Sequence, residues 1–415
     1  MGFYLHNAYL ALNLFVFRLA KFFVQVIGAR LLAAAAFGQF SYIYSLIDIW
    51  NHVFGAGLDV IGARMYQTSP RWPVLWRQTI ALKFLLALAG VAAGFFVLDW
   101  PYAVLFGLWH LFFMQGKLAY SFLNTLLYPK GLVIGGFLAE VTLLFSAYLG
   151  LRFWGLPGFL FAFAAERAVE ATVFWLILRK REPELAAGQN LLEVKEVLRD
   201  HLIPAWPVWA AQLLGVLVSR FDTVLIAHLL DFAKTGLYGV AQRCVEAPLF
   251  VFAAAADSSL AYFIRHPSER SLRYRQSMKM TILLAAGFSV FLVGFGLWGV
   301  PFVFGTKYQA ADFLIAAYAW VLIPRAVNMV STSRLLSEHQ EKLILASSLA
   351  GLSFSVVANV AFIPVWGLAA AAMTAVASES LIMMMRAWFI KEGRCKAMAA
   401  SVVVLAASYY WASRL

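Results

Sequence analysis

The chain has 415 residues, of which 63% are hydrophobic, 16% aromatic and only 13% charged, and it carries a net charge of +12. A soluble domain holds roughly 25% charged residues and about half apolar ones, so an ordinary soluble domain is excluded. The basic surplus does not mark a nucleic-acid binder, because it sits in short segments between apolar runs, where membrane topology explains it.

A helical span needs about 20 predominantly apolar residues. By that measure spans are expected near 7–29, 36–60, 74–98, 102–124, 131–151 and 156–178. A second set is expected near 203–229, 237–263, 278–303, 310–333, 343–363 and 367–389, with "AMAASVVVLAASYYWA" at 397–412 as a weaker thirteenth. The first run carries Arg18 and Lys21 and lacks a small-residue cleavage site, so it reads as a span rather than a signal peptide. Twenty lysines and arginines, from Arg64 to Lys396, fall in the even-numbered connections. Only five (Arg30, Arg152, Lys234, Lys307 and Arg414) fall in the odd ones or at the far end. That bias puts the N-terminus and the even connections in the cytoplasm of a multi-pass protein of the plasma (inner) membrane.

The charged stretch "RKREPELAAGQNLLEVKEVLRD" divides the chain near its middle. The expected organisation is a six-helix bundle over 1–180, a cytoplasmic linker over 181–202, a second six-helix bundle over 203–390, and a tail or additional helix over 391–415. The halves echo each other. An offset of 198 aligns Leu31 with Leu229, Gly38 with Gly236, Asp48 with Glu246 and Asp59 with Asp257. "WGL" also recurs at 154–156 and 366–368, each time between the fifth and sixth spans of its half. Six spans per half with equal parity imply parallel repeats about an axis along the membrane normal, and transporters commonly bind substrate at such a repeat interface.

Ionisable groups within spans are costly and normally face a partner or a wet cavity. In "SLIDIWNHVFGAGLD" (45–59), Asp48, His52, Gly55 and Asp59 share one helix face. Arg18, Lys21 and Arg325 have no acid one turn away on their own helices, and Asp48 and Asp59 have no local cation. Arg220 with Asp222 or an acid of span 2, Arg243 with Glu246, and Arg167 with Glu170 can be structural pairs. Lys83 and Lys117 can snorkel to an interface. The reading that joins these groups is a hydrated, net-basic cavity among spans 1, 2, 7, 8 and 10, suited to an anion such as phosphate. Asp48 would be its best candidate for proton binding, with His52 tuning it, or an acid that simply holds Lys21. Pro204, Pro207, Pro248 and Pro324 could add hinges. Two isolated cysteines, Cys244 and Cys395, build neither a disulfide framework nor a zinc site, and no metal or cofactor is expected. "GAGLDVIG" at 55–62 has the wrong spacing for a dinucleotide loop, and no catalytic constellation stands out.

Three stretches resemble polysaccharide-biosynthesis flippases of the Wzx type, within the multidrug, oligosaccharidyl-lipid and polysaccharide exporter superfamily. They are "ARLLAAAAFGQFSYIYSLIDIWNHVFGAGLDVIGARMY", "SRFDTVLIAHLLDFAKTGLYGVAQRCVEAPLFVFAAAADSSL" and "RLLSEHQEKLILASSLAGLSFSVVANVAFIPVWGLAAAAMTAVASE". The resemblance implies two six-helix bundles around a cavity that opens alternately to each face. It implies as partners membrane lipid, a polyprenyl-pyrophosphate-linked oligosaccharide carried from the inner to the outer leaflet, and other polysaccharide-assembly proteins. On that reading Arg18, Lys21, Arg220, Arg243 and Arg325 grip pyrophosphate. Asp48, Asp59, Asp222, Glu246 and Asp257 couple an ion or pair with cations, and Trp206, Trp209 and Gln212 meet sugars. A multidrug exporter would prefer a cavity with surplus acid. A membrane polymerase or glycosyltransferase would need a long external catalytic loop that this chain lacks, and a scaffold would have no use for deep charges such as Arg18.

Overall fold

A computed structural model describes residues 19–59, 72–126, 128–182, 198–391 and 394–415. They form an all-α membrane protein with no strand among the described residues. In chain order the helices are α1 (19–31), α2 (Ala34–Gly55), α3 (Trp72–Gly94), α4 (Tyr102–Thr125), α5 (Pro129–Arg181), α6 (Ile203–Leu229) and α7 (Phe232–Glu246). They continue with α8 (Leu249–Arg265), α9 (Arg270–Val303), α10 (Asp312–Tyr318), α11 (Leu322–Leu336), α12 (Glu341–Ile390) and α13 (Arg394–Ala412). The expected span 8 is broken, and span 10 runs through a 3-10 turn. α7 and α8 meet at 43° where Pro248 interrupts the run, and span 10 is two helices joined by a short 3-10 turn at Ala319–Val321.

α5 and α12 are too long to be single spans, at 53 and 50 residues. Each is a hairpin of two antiparallel arms, and the reversal falls on one residue. Gly155 has φ 57° and ψ −129°, and Gly367 has φ 58° and ψ −135°. This backbone region is closed to side chains with a Cβ, so the two "WGL" triplets mark equivalent turns. Residues at similar distances from the turn meet across each hairpin. A Cβ on Gly150 would lie 2.3 Å from the carbonyl oxygen of Gly158, and one on Gly135 would lie 2.3 Å from the Phe174 ring. In α12 a Cβ on Gly351 would come within 2.5 Å of Ile382. Each arm, at 1.5 Å per residue, is long enough for a hydrocarbon core of about 30 Å.

Contacts divide the chain into two compact units: residues 1–32 with 46–213, and 33–45 with 214–415. In the first, α1 lies on the second arm of α5, where Gly28 leaves room for Phe159. A core of Trp76, Leu118, Phe122, Phe174 and Leu178 joins α3, α4 and α5, with Trp76 stacked on Phe122 at 4.3 Å. The start of α6 belongs here too, because the Trp209 indole donates to the carbonyls of His52 (2.8 Å) and Val53 (3.2 Å).

In the second unit the first turns of α2 and α7 cross with no side chain between them. A Cβ on Gly38 would lie 1.6 Å from the Phe232 carbonyl oxygen, and one on Gly236 would lie 2.3 Å from that of Ala34. The offset of 198 carries Ala34 onto Phe232 and Gly38 onto Gly236, so the contact is reciprocal between repeat-equivalent residues. Asp231 caps α7, its carboxylate accepting from the Lys234 amide at 2.7 Å.

Candidate functional site

The second unit holds a buried cluster of cations. On α7, Arg243 and Glu246 share a face at i, i+3, and Arg243 Nη1 donates to Glu246 Oε2 at 2.7 Å. Arg220 of α6 donates to the other oxygen, Oε1, so one carboxylate serves two guanidinium groups. Both guanidinium groups also lie over the ring of Tyr44 from α2, at 5.5 Å for Arg220 and 4.2 Å for Arg243. Arg243 is buried, and its Nε and Nη2 have no hydrogen-bond partner. Buried donors are normally satisfied, so this guanidinium keeps binding capacity in reserve.

Deeper in the unit, Asp222 accepts from the Tyr238 hydroxyl and from the Thr223 amide at 2.7 Å. Tyr238 packs on Tyr318 at 5.4 Å, and the Arg325 guanidinium lies 5.8 Å from the Tyr318 ring. Arg325 Nε donates to Glu379 Oε1 at 3.0 Å, and Asn328 Nδ2 donates to Glu379 Oε2 at 2.8 Å. Arg386 is buried on the second arm of α12 and held by oxygens without charge. It donates to Ser347 Oγ (3.1 Å), Ser348 Oγ (3.1 Å), Thr332 Oγ1 (2.7 Å) and the Asn328 carbonyl (2.9 Å).

The first unit has its own charged core. Lys21 Nζ lies 2.8 Å from Glu166 Oε1 and 3.6 Å from Glu140 Oε1, which stand on opposite arms of α5. Arg167 reaches Glu166 at 3.1 Å and donates to Glu170. Separately, buried Lys83 donates to Asp59, and His110 faces Asn51 Oδ1 at 2.7 Å.

Several sequence expectations are corrected by these contacts. Lys21 and Arg325 are not without acids; their partners stand on other helices, Glu140 and Glu166 for the first and Glu379 for the second. Asp59 has a cation, Lys83, which is buried rather than snorkelling. Arg220 pairs with Glu246 of α7, and Asp222 accepts from Tyr238. Arg386 is counted by sequence among the cytoplasmic connection charges, yet it is interior. Asp48 meets His52 through its backbone, its carbonyl oxygen lying 2.8 Å from His52 Nδ1. Arg243 pairs with Glu246, and Arg167 with Glu170, as the spacing predicts. Trp206 and Gln212 are exposed, Trp209 is half-buried, and Asp257 is exposed on α8. Arg18 lies outside the described residues. The sequence reading missed Glu379, Ser347 and Ser348, whose signal was polar residues within the apolar run of α12, whereas Asn328 is legible on the helix face of Arg325.

No family model matches the chain, and no curated relative does. Solved structures do. "Lipid II flippase MurJ, inward closed conformation" superposes with a TM-score of 0.78 at 13% identity, covering 96% of this chain and 91% of that one. An inward-facing multidrug resistance MATE family transporter of the MOP superfamily gives 0.65 at 14% identity, covering 92% and 95%. A eukaryotic MATE transporter gives 0.64 at 13% identity, covering 97% and 100%. The class defined by fold is therefore the all-α polytopic membrane protein. Within that class the chain has the MurJ- and MATE-like fold over almost its whole length.

Proposed function

We propose that the chain is a flippase that carries a polyprenyl-pyrophosphate-linked oligosaccharide from the cytoplasmic to the outer leaflet for surface polysaccharide assembly, by alternating access and without covalent chemistry. The observation that carries this reading is Arg243. Two arginines share the carboxylate of Glu246, and Arg243 retains two buried donors without partners. A guanidinium in that condition suits an oxyanion with several acceptor oxygens. Lys21 and Arg325 are engaged by carboxylates, so they would serve substrate only after exchanging partners. The MurJ-like fold supports a lipid-linked substrate, MurJ being a lipid II flippase. The expected bundles of 1–180 and 203–390, the cytoplasmic N-terminus and the plasma membrane location belong to this proposal, as does a role for Trp206, Trp209 and Gln212 toward sugar.

The test is deletion of the gene with assay of lipid-linked glycan on the inner leaflet, followed by complementation. Wild type should clear the glycan, Arg243→Ala should leave it accumulated by at least tenfold while still inserting, and Arg243→Lys should restore only part. Clearance by Arg243→Ala at the wild-type rate would refute the assignment. A second reading, a multidrug exporter, draws on the MATE-like structures and on the acid-rich cluster of Glu140, Glu166 and Glu170, which suits cations. That reading predicts drug hypersensitivity in the deletion strain and no glycan accumulation.

A further inference from the structure

Among the described residues, the charged cluster in the first unit does not balance. Among those residues it contains three carboxylates, Glu140, Glu166 and Glu170, and two cations, Lys21 and Arg167. Glu166 is answered by both cations, at 2.8 Å from Lys21 and 3.1 Å from Arg167, and Glu170 is answered by Arg167. Among the described residues, the cation that pairs with Glu140 is Lys21, at the longer distance of 3.6 Å. Its side chain is 8% exposed and that of Glu166 is 1% exposed. Glu140 Oε2 and both carboxylate oxygens of Glu166 are buried with no hydrogen-bond partner, although Glu166 Oε1 has both cations within ion-pair distance. From α4, packed along the same hairpin, His110 is bonded to Asn51 and Lys117 lies over Tyr120 at 5.7 Å.

An acid held as part of a structural pair would have its own base and filled lone pairs. A buried carboxylate short of both charge and donors is expensive where water is excluded. One added proton removes both deficits: it cancels the surplus charge and turns an orphan oxygen into a donor. A metal ion is the poorer fit, because the Lys21 ammonium already stands between the two carboxylates and hard cations require several oxygen ligands at once.

We propose that Glu140 is a proton-binding site of the first unit, with Lys21 as the internal cation that exchanges with the proton. When Lys21 stands on Glu166, as here, Glu140 takes up the proton; when Lys21 swings onto Glu140, the proton leaves. The site follows from the geometry of α1 and α5, and only its use to drive transport rests on the flippase reading. The chemistry is a single proton transfer to and from water, with no other bond made or broken.

The test is infrared difference spectroscopy of the full chain in lipid between mildly acidic and mildly alkaline buffer, a range in which exposed carboxylates stay ionised. Wild type should show the carbonyl stretch of a protonated carboxyl on the acidic side. Glu140→Gln should lose it, Glu170→Gln should keep it, and Lys21→Met should carry the protonated form further into alkaline buffer. Retention of the band in Glu140→Gln, or its loss only in Glu166→Gln, would overturn the assignment. So would its removal by sodium at constant pH, which would make the ligand a metal cation. Should Glu140→Gln fail to fold by thermal unfolding, Glu140→Asp must shift the band and Lys21→Met must move its midpoint, or the proposal is wrong. Arg243→Ala should leave the band untouched, so this result and the glycan assay fail independently.

Discussion

α5 and α12 use the same device to different ends. Both reverse on a glycine in nearly the same backbone conformation, and at neither Gly155 nor Gly367 would a Cβ meet any atom within 4 Å. Conformation, not crowding, requires glycine there. The arms then diverge. In α5 Gly150 and Gly158 bring backbone against backbone, whereas at the corresponding distances from Gly367 α12 carries Phe362, stacked on Trp366 at 4.9 Å, and buried Ala370. The charges diverge as well. Twelve residues past the turn, α5 has Arg167 and α12 has Glu379. The first hairpin contributes three acids and Arg167 to a cluster completed by Lys21; the second contributes Glu379 and Arg386 to a unit that also holds Arg220, Arg243 and Arg325. A repeated scaffold fixes where side chains can meet, and leaves the sign of the buried charge free to change.

The largest effect that would break this comparison is at the close approach of the α5 arms. Gly158→Val drives side-chain atoms into the Gly150 carbonyl, whose oxygen lies 2.2 Å from a Cβ built at Gly158. Loss of folded protein, read by size-exclusion yield, is expected, while Ala370→Val at the matching place in α12 should still give folded protein. Next is Glu379→Ala, which strands Arg325 and leaves Asn328 Nδ2 only the backbone carbonyl at that position, at 3.0 Å. Breaking a buried pair from one side costs roughly 3–5 kcal/mol, and a thermal unfolding series should show it. Gly155→Ala and Gly367→Ala should each cost about 1–3 kcal/mol and by similar amounts, since each forces a side chain into the same sparse backbone region. A large difference between the two unfolding shifts would mean the turns are not equivalent. The smallest effect is at a helix start. Asp231 caps α7 where its repeat partner before α2 is Ala33, so Asp231→Ala should cost about 1 kcal/mol in thermal unfolding.

The sequence made local and periodic features legible. Two "WGL" triplets announced two equivalent turns, and i, i+3 spacing announced the Arg243–Glu246 and Arg167–Glu170 pairs. The opening of the broken span at Pro248 was also visible as a residue. What stayed hidden is the set of pairs closed by packing. Lys21 meets acids more than a hundred positions away, Arg325 meets Glu379 on another helix, and Asp59 meets Lys83 of α3. Spacing along one helix carries no information about such partners. Arg386 misled for another reason: it stands near a helix end, as flanking cations do, but hydroxyls from two neighbouring helical segments draw it inward.

The crossing of Gly38 and Gly236 makes one seam out of two copies of a single motif. Contact of one residue with its counterpart's neighbour, and the reverse, is the pattern by which identical subunits recognise each other about a dyad. Within one polypeptide it ties the two positions into a shared fate. A methyl group added on either side would wedge the same joint apart, so a second methyl opposite would find the gap already open, and the paired substitutions would cost far less than their separate penalties combined.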